Sequence, residues 1–112
     1  MSTIGTEQIS TIDASDDRRV LVDQPFVLQL WEDRTRGEQW VVSYDTKGLA
    51  LLSDEFLRIA SNNAVENGQR IFEFKAVQPG VYQVVFEKRM GWKFTAEDRR
   101  LFKIEAEPRA TN

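Results

Sequence analysis

The chain has 112 residues, the size of one domain, and 41% hydrophobic residues, enough for a packed core. Its net charge of -3 argues against a nucleic-acid or anionic membrane partner, and no apolar run approaches the roughly 20 residues that span a bilayer. It contains no cysteine and no histidine, which excludes disulfides, thiolate metal sites and Ser–His or Cys–His catalysis. Carboxylates alone make a poor catalytic set, so we expect a protein that is not an enzyme and needs no cofactor or metal.

The N-terminal sequence MSTIGTEQIS has no basic region followed by an apolar core, so it does not look like a signal peptide. We therefore expect either a cytoplasmic protein or the mature form of a secreted one. We also expect a monomer with a single domain over 1–112, in which residues 1–6 and 108–112 are flexible. Gln8 to Ile12 is a weak candidate for an edge strand, and Asp13 to Arg19 reads as a charged loop or helical turn.

Two strands are predicted in the first half of the chain. Phe26, Leu28 and Leu30 fall on one face of the first, and Pro25 stands at its start, where no ladder hydrogen bond is lost. After a polar loop, Glu32 to Glu38, a second alternation places Trp40, Val42 and Tyr44 on one face. A Trp at this point in the strand order is typical of residues that β-sandwiches pack at their centre.

The middle of the chain is harder to interpret. Thr46 to Asn63 lacks a clear period, and both a helical turn after Ser53 and a short strand through Leu57 and Ile59 remain open. Ser61 to Gln69 is predicted to be a loop, with Asn67-Gly68 as its strongest turn signal.

The stretch from Phe72 to Trp92 organises the second half. Strands are predicted over Phe72–Ala76 and Tyr82–Phe86, separated by a turn at Gln78-Pro79-Gly80. Tyr82 stands where immunoglobulin-like sandwiches place a tyrosine corner, and an ordinary core tyrosine is the alternative. Lys88 to Asp98 reads as a charged loop, and Arg100, Phe102, Ile104 and Ala106 indicate a closing strand.

These patterns predict an all-β protein with an immunoglobulin-like antiparallel β-sandwich of six to eight strands. In this strand order the loops Glu32–Glu38 and Lys88–Asp98 emerge at the same end of the sandwich. The second loop carries Trp92 among basic residues, a combination typical of binding hot spots. The alternative is that Trp92 folds back over the edge of the core.

From about Asp23 to Glu105 the chain resembles the chagasin-like inhibitors of papain-type cysteine peptidases. That family's first loop is Asn-Pro-Thr-Thr-Gly, followed after two residues by Trp, and Thr35, Gly37 and Trp40 match it in register. A Gly-rich second loop before an aromatic strand corresponds to Asn67-Gly68. The third loop, Arg-Pro-Trp, corresponds to Arg89-Met90-Gly91-Trp92, which is one residue longer. The order and spacing of all three loops match.

The chain departs from the family pattern at several loop positions. Asp33 replaces Asn, Arg34 replaces Pro, Arg36 replaces the second Thr, and the third loop has no Pro. Missing prolines imply less rigid loops, whose ordering on binding costs affinity. The long side chains of Arg34 and Arg36 could also obstruct insertion into a narrow cleft.

The resemblance implies an immunoglobulin-like, non-enzymatic inhibitor that blocks a papain-type cysteine peptidase reversibly and without covalent chemistry. Thr35 would reach toward the target's catalytic cysteine, and the other two loops would touch the cleft walls. The peptidase-binding residues expected from it are Asp33, Arg34, Thr35, Arg36, Gly37, Asn67, Gly68, Arg89, Met90, Gly91 and Trp92.

A second hypothesis uses the same scaffold for another purpose. Arg34, Arg36, Lys88, Arg89 and Lys93 would form a basic tip on an acidic protein, suited to an acidic protein or glycan partner. Association led by charge should slow steeply as salt is added, whereas insertion of a loop into a cleft should not.

Overall fold

The computed structural model describes residues 16–58, 67–90, 96 and 98–109. Within these ranges the chain forms seven strands and one short 3-10 turn, Arg34–Arg36, and no helix there is long and apolar enough to cross a membrane. The strands are β1 (Asp16–Leu21), β2 (Phe26–Asp33), β3 (Glu38–Ser43), β4 (Leu49–Arg58), β5 (Asn67–Ala76), β6 (Gly80–Met90) and β7 (Asp98–Glu107). The predicted all-β class is confirmed.

The strands form two sheets, one with the order β1-β7-β6-β3 and one with the order β2-β5-β4. All neighbours are antiparallel except β1 and β7, which run parallel. Because β2 and β3 lie in different sheets, the 3-10 turn between them crosses from one sheet to the other. The predicted immunoglobulin-like sandwich is confirmed.

The core lies between the two sheets and is built from the alternating residues that predicted the strands. Phe72 of the three-stranded sheet meets Phe86 of the four-stranded sheet with ring centroids 4.9 Å apart. Trp40 and Phe102 pack edge-on against Phe86. Trp40 is only 4% exposed, so the prediction that it lies at the centre of the sandwich is confirmed.

The end of the sandwich where β6 begins is held by a tyrosine corner. The hydroxyl of Tyr82 lies 2.8 Å from the carbonyl oxygen of Gln78, to which it donates a hydrogen bond, and 3.2 Å from that of Pro79. The ring passes so close to Gly48 that a Cβ there would collide with it. This bond back to the preceding turn confirms the tyrosine-corner prediction.

Several predicted boundaries are wrong. Asp16–Arg19 was expected in a loop or helical turn but belongs to β1, because Arg18 lays its guanidinium over the ring of Phe102 and acts as an inward-facing residue. The open segment Thr46–Asn63 contains β4, in which a bulge between Leu51 and Ser53 interrupts the alternation. The weak strand Gln8 to Ile12 and the flexible residues 1–6 lie outside the described residues.

Candidate functional site

Three segments of the predicted binding loops meet at one end of the sandwich. Asp33, the last residue of β2, pairs with Asn67, the first residue of β5. Glu38, the first residue of β3, pairs with Met90, the last residue of β6. The turn Arg34–Arg36 therefore runs over this end, with the start of β5 beside it in one sheet and the end of β6 beside it in the other. We call this the loop end.

The turn itself is closed at both of its ends. Oδ1 of Asp33 accepts hydrogen bonds from the backbone N–H of Thr35 at 3.1 Å and from its hydroxyl at 2.5 Å. Gly37 ends the turn in the left-handed region, with φ 76°, and its N–H donates to the carbonyl of Arg34 at 3.1 Å. A positive φ is the conformation that glycine adopts at little cost, so Gly37 suits this closing position.

The two arginines of the turn are tied to its base. Nε of Arg34 donates to Glu32 at 2.6 Å, and its guanidinium lies 4.0 Å from the ring centroid of Phe56 in β4. Arg36 lies 3.3 Å from the carboxylate of Glu38. Both side chains thus contact acidic residues below the turn, and Thr35 stands exposed between them. These contacts hold both guanidinium groups against the base of the turn, so they argue against the expected obstruction of a narrow cleft by Arg34 and Arg36.

The second predicted segment is strand rather than loop where the structure describes it. Asn67, Gly68 and Gln69 were expected in a loop but open β5, because β2 pairs with all three and β4 pairs with Gly68 and Gln69. Gly68 is buried, and a Cβ on it would collide with the carbonyl oxygen of Leu57 and the ring of Phe56. Gly68 therefore permits the close approach of β4. The rest of this predicted loop, 61–66, lies outside the described residues.

The third predicted segment is divided between strand and undescribed chain. Met90 ends β6 and is buried, 7% exposed. Arg89 lies beside it with a partly exposed side chain, and its guanidinium bonds Glu87 at 2.6 Å. That bond, with the charges of Arg89 and Arg99, holds the pKa of Glu87 below the ordinary value, although burial opposes the shift. The predicted site residues Gly91 and Trp92 lie outside the described residues.

A buried ionic cluster under the turn was not predicted from the sequence. Glu32 is fully buried and contacts Arg70, which is 7% exposed and bonds Asp54. A signal for it exists: Glu32 continues the inward alternation of Leu28 and Leu30, and Arg70 stands two residues before inward-facing Phe72. Charged residues at inward positions of two strands imply an ion pair if those strands are neighbours. No group of carboxylates in the described part of the chain is arranged to hold a metal ion.

Comparison with known protein families identifies the chain. The family model described as "Chagasin family peptidase inhibitor I42" matches residues 19–106, which is most of the sequence. The chain belongs to the chagasin family. Members of this family are peptidase inhibitors and not enzymes, in agreement with the absence of His and Cys in this chagasin-family sequence. No curated protein sequence gives a significant match.

Solved structures share the fold of this chagasin-family chain at low sequence identity. The cysteine protease inhibitor EhICP2 from Entamoeba histolytica has a TM-score of 0.73 at 13% identity, covering 85% of this chain and 90% of its own. Amebosin has a TM-score of 0.65 at 20% identity, with coverage of 81% and 88%. PbICP-C, solved in complex with falcipain-2, has a TM-score of 0.61 at 10% identity, with coverage of 85% and 88%. The fold is therefore retained although few residues are identical.

Proposed function

We propose that this chagasin-family protein is a reversible, non-covalent inhibitor of papain-type cysteine peptidases that inserts its loop end into the active-site cleft. Family membership supports inhibition as the activity. The solved complex of PbICP-C with falcipain-2 and the description of EhICP2 as a cysteine protease inhibitor support a cysteine peptidase as the partner. The observation that carries the insertion model is the strand register, which brings three segments to one end of the sandwich.

The conformation of the turn suits insertion without cleavage. Arg34–Arg36 is a closed 3-10 turn with a cap at each end, whereas a peptidase substrate binds as an extended chain. A preformed turn loses little conformational freedom on binding, and it offers no extended scissile bond to the target's thiolate. The target's thiolate–imidazolium pair would be covered and desolvated while no covalent bond forms.

The hydroxyl of Thr35 has a defined hydrogen-bonding direction. Its single proton is donated to Oδ1 of Asp33, so only its lone pairs remain for a partner. An exposed acceptor at the apex of the turn complements a donor in the cleft, such as the N–H of a protonated imidazole or a backbone amide. The lone pairs of the Thr35 hydroxyl are therefore complementary to the imidazolium, the positively charged member of the catalytic pair of a papain-type peptidase.

The second hypothesis, a module with a basic tip, loses much of its support in the structure. Arg34 and Arg36 pair with Glu32 and Glu38, and Lys88 also contacts Glu38 at 3.6 Å. Arg89 pairs with Glu87, and Lys93 lies outside the described residues. Because each of the four described cations of the tip contacts one of three carboxylates, their charge is partly compensated, and no described feature favours an acidic protein or glycan over a peptidase cleft.

The first experiment is a titration of papain with purified wild-type protein and the variant Thr35→Arg. A long charged side chain at the apex should prevent full insertion and weaken inhibition by about 100-fold. The matched control is Thr46→Arg, which makes the same change at an exposed threonine on the opposite end of the sandwich and should inhibit like the wild type. Trp92→Ala tests the predicted contact of the third loop and should weaken inhibition as well.

Two results would contradict these expectations, and each would overturn a different part of the proposal. Failure of the wild-type protein to inhibit several papain-type peptidases at micromolar concentration would overturn the proposed function. If Thr35→Arg inhibits as strongly as the wild type, the protein is an inhibitor, but its contact with the peptidase does not lie at the turn.

A further inference from the structure

The carboxylate of Glu32 lies at the centre of the ionic cluster under the turn. It is completely buried, and both of its oxygens are engaged. Oε1 accepts from the backbone N–H of Trp40 and from a terminal nitrogen of Arg70, each at 2.9 Å. Oε2 accepts from Nε of Arg34 at 2.6 Å. One carboxylate on β2 thus joins β3, β5 and the first residue of the turn.

Arg70 extends the cluster across the three-stranded sheet. Its Nε and one terminal nitrogen bond the two oxygens of Asp54 on β4, each at 2.9 Å. Its other terminal nitrogen, which bonds Glu32, also donates to the carbonyl oxygen of Trp40 at 3.3 Å. Burial opposes the charge on Arg70, but the hydrogen bond to Asp54 and the charges of Glu32 and Asp54 outweigh it and raise the pKa of the guanidinium. Arg70 therefore stays charged and fixed between two carboxylates.

A second carboxylate holds the other side of the turn. Glu38, on β3, is 7% exposed, and its Oε1 accepts the backbone N–H of Asp33 at 3.1 Å. Its Oε2 lies 3.3 Å from Arg36. The residue before the turn and the last residue within it are thereby tied to β3, as Arg34 is tied to β2 through Glu32.

We propose that Glu32 and Arg70 are positioning residues of the inhibitory turn: they fix its place relative to β5, the strand that carries the second loop. The inference rests on the proposed function. A buried ion pair adds little net stability, because desolvation offsets its attraction and apolar replacements are often at least as stable. What such a cluster supplies is a unique geometry, and this one lies directly under a turn that has no proline to stiffen it.

The decisive variants remove the charges and keep the volumes. Glu32→Gln retains an acceptor for the N–H of Trp40, and Arg70→Met retains the length of the side chain. The double variant Glu32→Gln/Arg70→Met removes both buried charges together. The partners that lose an ion pair, Arg34 and Asp54, have side chains that are 39% and 38% exposed and can be hydrated, so the double variant should stay folded even if each single variant is destabilised. We expect it to dissociate from papain about tenfold faster than the wild type, with a nearly unchanged association rate.

Hydrogen exchange of the free protein gives a readout that needs no peptidase. The amides of Asp33, Thr35 and Gly37 all donate within the turn or to its base, and they should lose protection in the double variant while the core strands keep it. Tyr82→Phe, at the opposite end, is the control for general destabilisation. Arg19→Met is the control for loss of an arginine, since the Arg19 side chain is 77% exposed where it pairs with Glu105 and Glu107.

A rescue variant distinguishes positioning from any other role. Arg34→Pro should restore slow dissociation in the Glu32→Gln/Arg70→Met background. The backbone of Asp33, with φ -96° and ψ 98°, has the extended conformation allowed before proline, and residue 34 opens the turn, where proline is tolerated. Proline would then supply the rigidity that the cluster provides.

Two results would overturn the proposal: turn amides that stay protected in the double variant, or a dissociation rate that changes no more than in Tyr82→Phe. Wild-type inhibition would be intact in either case, so the proposed function would stand. If instead the wild type inhibits no peptidase, the proposed function fails, and loss of turn protection in the double variant would still support the positioning role of Glu32 and Arg70.

Discussion

Asp33 shows how one exposed side chain shapes the turn. Its hydrogen bond from the hydroxyl of Thr35 lowers the pKa of its carboxyl below the ordinary value of 3.8. Burial opposes this lowering of the pKa, and the backbone N–H of Thr35 and the charge of Arg36 reinforce it. Since the folded-state pKa is the lower one, ionised Asp33 stabilises the turn above pH 3.8, and this contribution is lost as the pH falls through the folded-state pKa.

We therefore expect the turn to keep its form at the mildly acidic pH at which many cysteine peptidases are assayed. An NMR titration of the Asp33 carboxyl carbon should give a pKa below 3.8. Asp33→Ala should weaken inhibition about tenfold by removing the cap, and Asp33→Asn should do so less because its amide oxygen still accepts. Asp45→Ala is the matched control, since Asp45 caps Lys47 in the same way at the other end. A titration midpoint at or above 3.8 would contradict the stated role of Thr35.

At the scale of the elements, regular alternation predicted the central strands. Phe72–Ala76 and Tyr82–Phe86 have one apolar and one polar face, and both lie in strands where expected. β1 was missed because one of its inward positions is Arg18, whose guanidinium lies over the ring of Phe102, and a count of apolar residues does not include an arginine. β4 stayed ambiguous because the bulge after Leu51 shifts the pattern by one residue.

The candidate site was predictable only in part, for a similar reason. The match of Thr35 and Gly37 to a known loop located the turn, but their neighbours Arg34 and Arg36 looked like free cations. The fold was needed to identify their partners. Glu32 is only two residues from Arg34, but Phe56, which the Arg34 guanidinium also contacts, lies on β4, whose register could not be predicted from the sequence. Side chains that fold back onto a distant strand cannot be read from local spacing.

The tyrosine corner should stabilise the fold without affecting inhibition. Tyr82→Phe removes the bond to Gln78 and should lower the free energy of unfolding by about 1 kcal/mol. Gly48→Ala places a methyl group against the Tyr82 ring and should cost about 1–3 kcal/mol. Denaturant unfolding measures both effects, and papain titration should show unchanged inhibition. A parallel loss of inhibition in both variants would mean that the two ends of the sandwich are coupled.

Over the whole molecule, the two ends are built differently. The end with Tyr82 and Gly48 is closed by an aromatic ring packed on backbone. The loop end is closed by a cluster of buried charges around Glu32 and Glu38. We expect the first arrangement to resist unfolding and the second to fix the positions of the polar groups that we propose contact a peptidase. Because Arg34, Arg36, Lys88 and Arg89 each contact an acidic neighbour, the positive charge at the loop end is partly compensated.

This partial compensation of charge predicts association with a weak dependence on salt. Raising NaCl from about 50 to 500 mM should slow association with papain by less than about threefold, because charge does not lead the encounter. Glu87→Gln leaves Arg89 and Arg99 without a shared carboxylate near the third loop. We expect this variant to differ from the wild type in how steeply its association rate changes with salt concentration. Glu107→Gln changes the charge equally at the opposite end, beside Arg19, and should behave like the wild type. Stopped-flow association rates at several salt concentrations measure these slopes. A wild-type rate that falls more than about tenfold would show that charge steers binding, as expected for a module with a basic tip rather than for a loop inserted into a cleft.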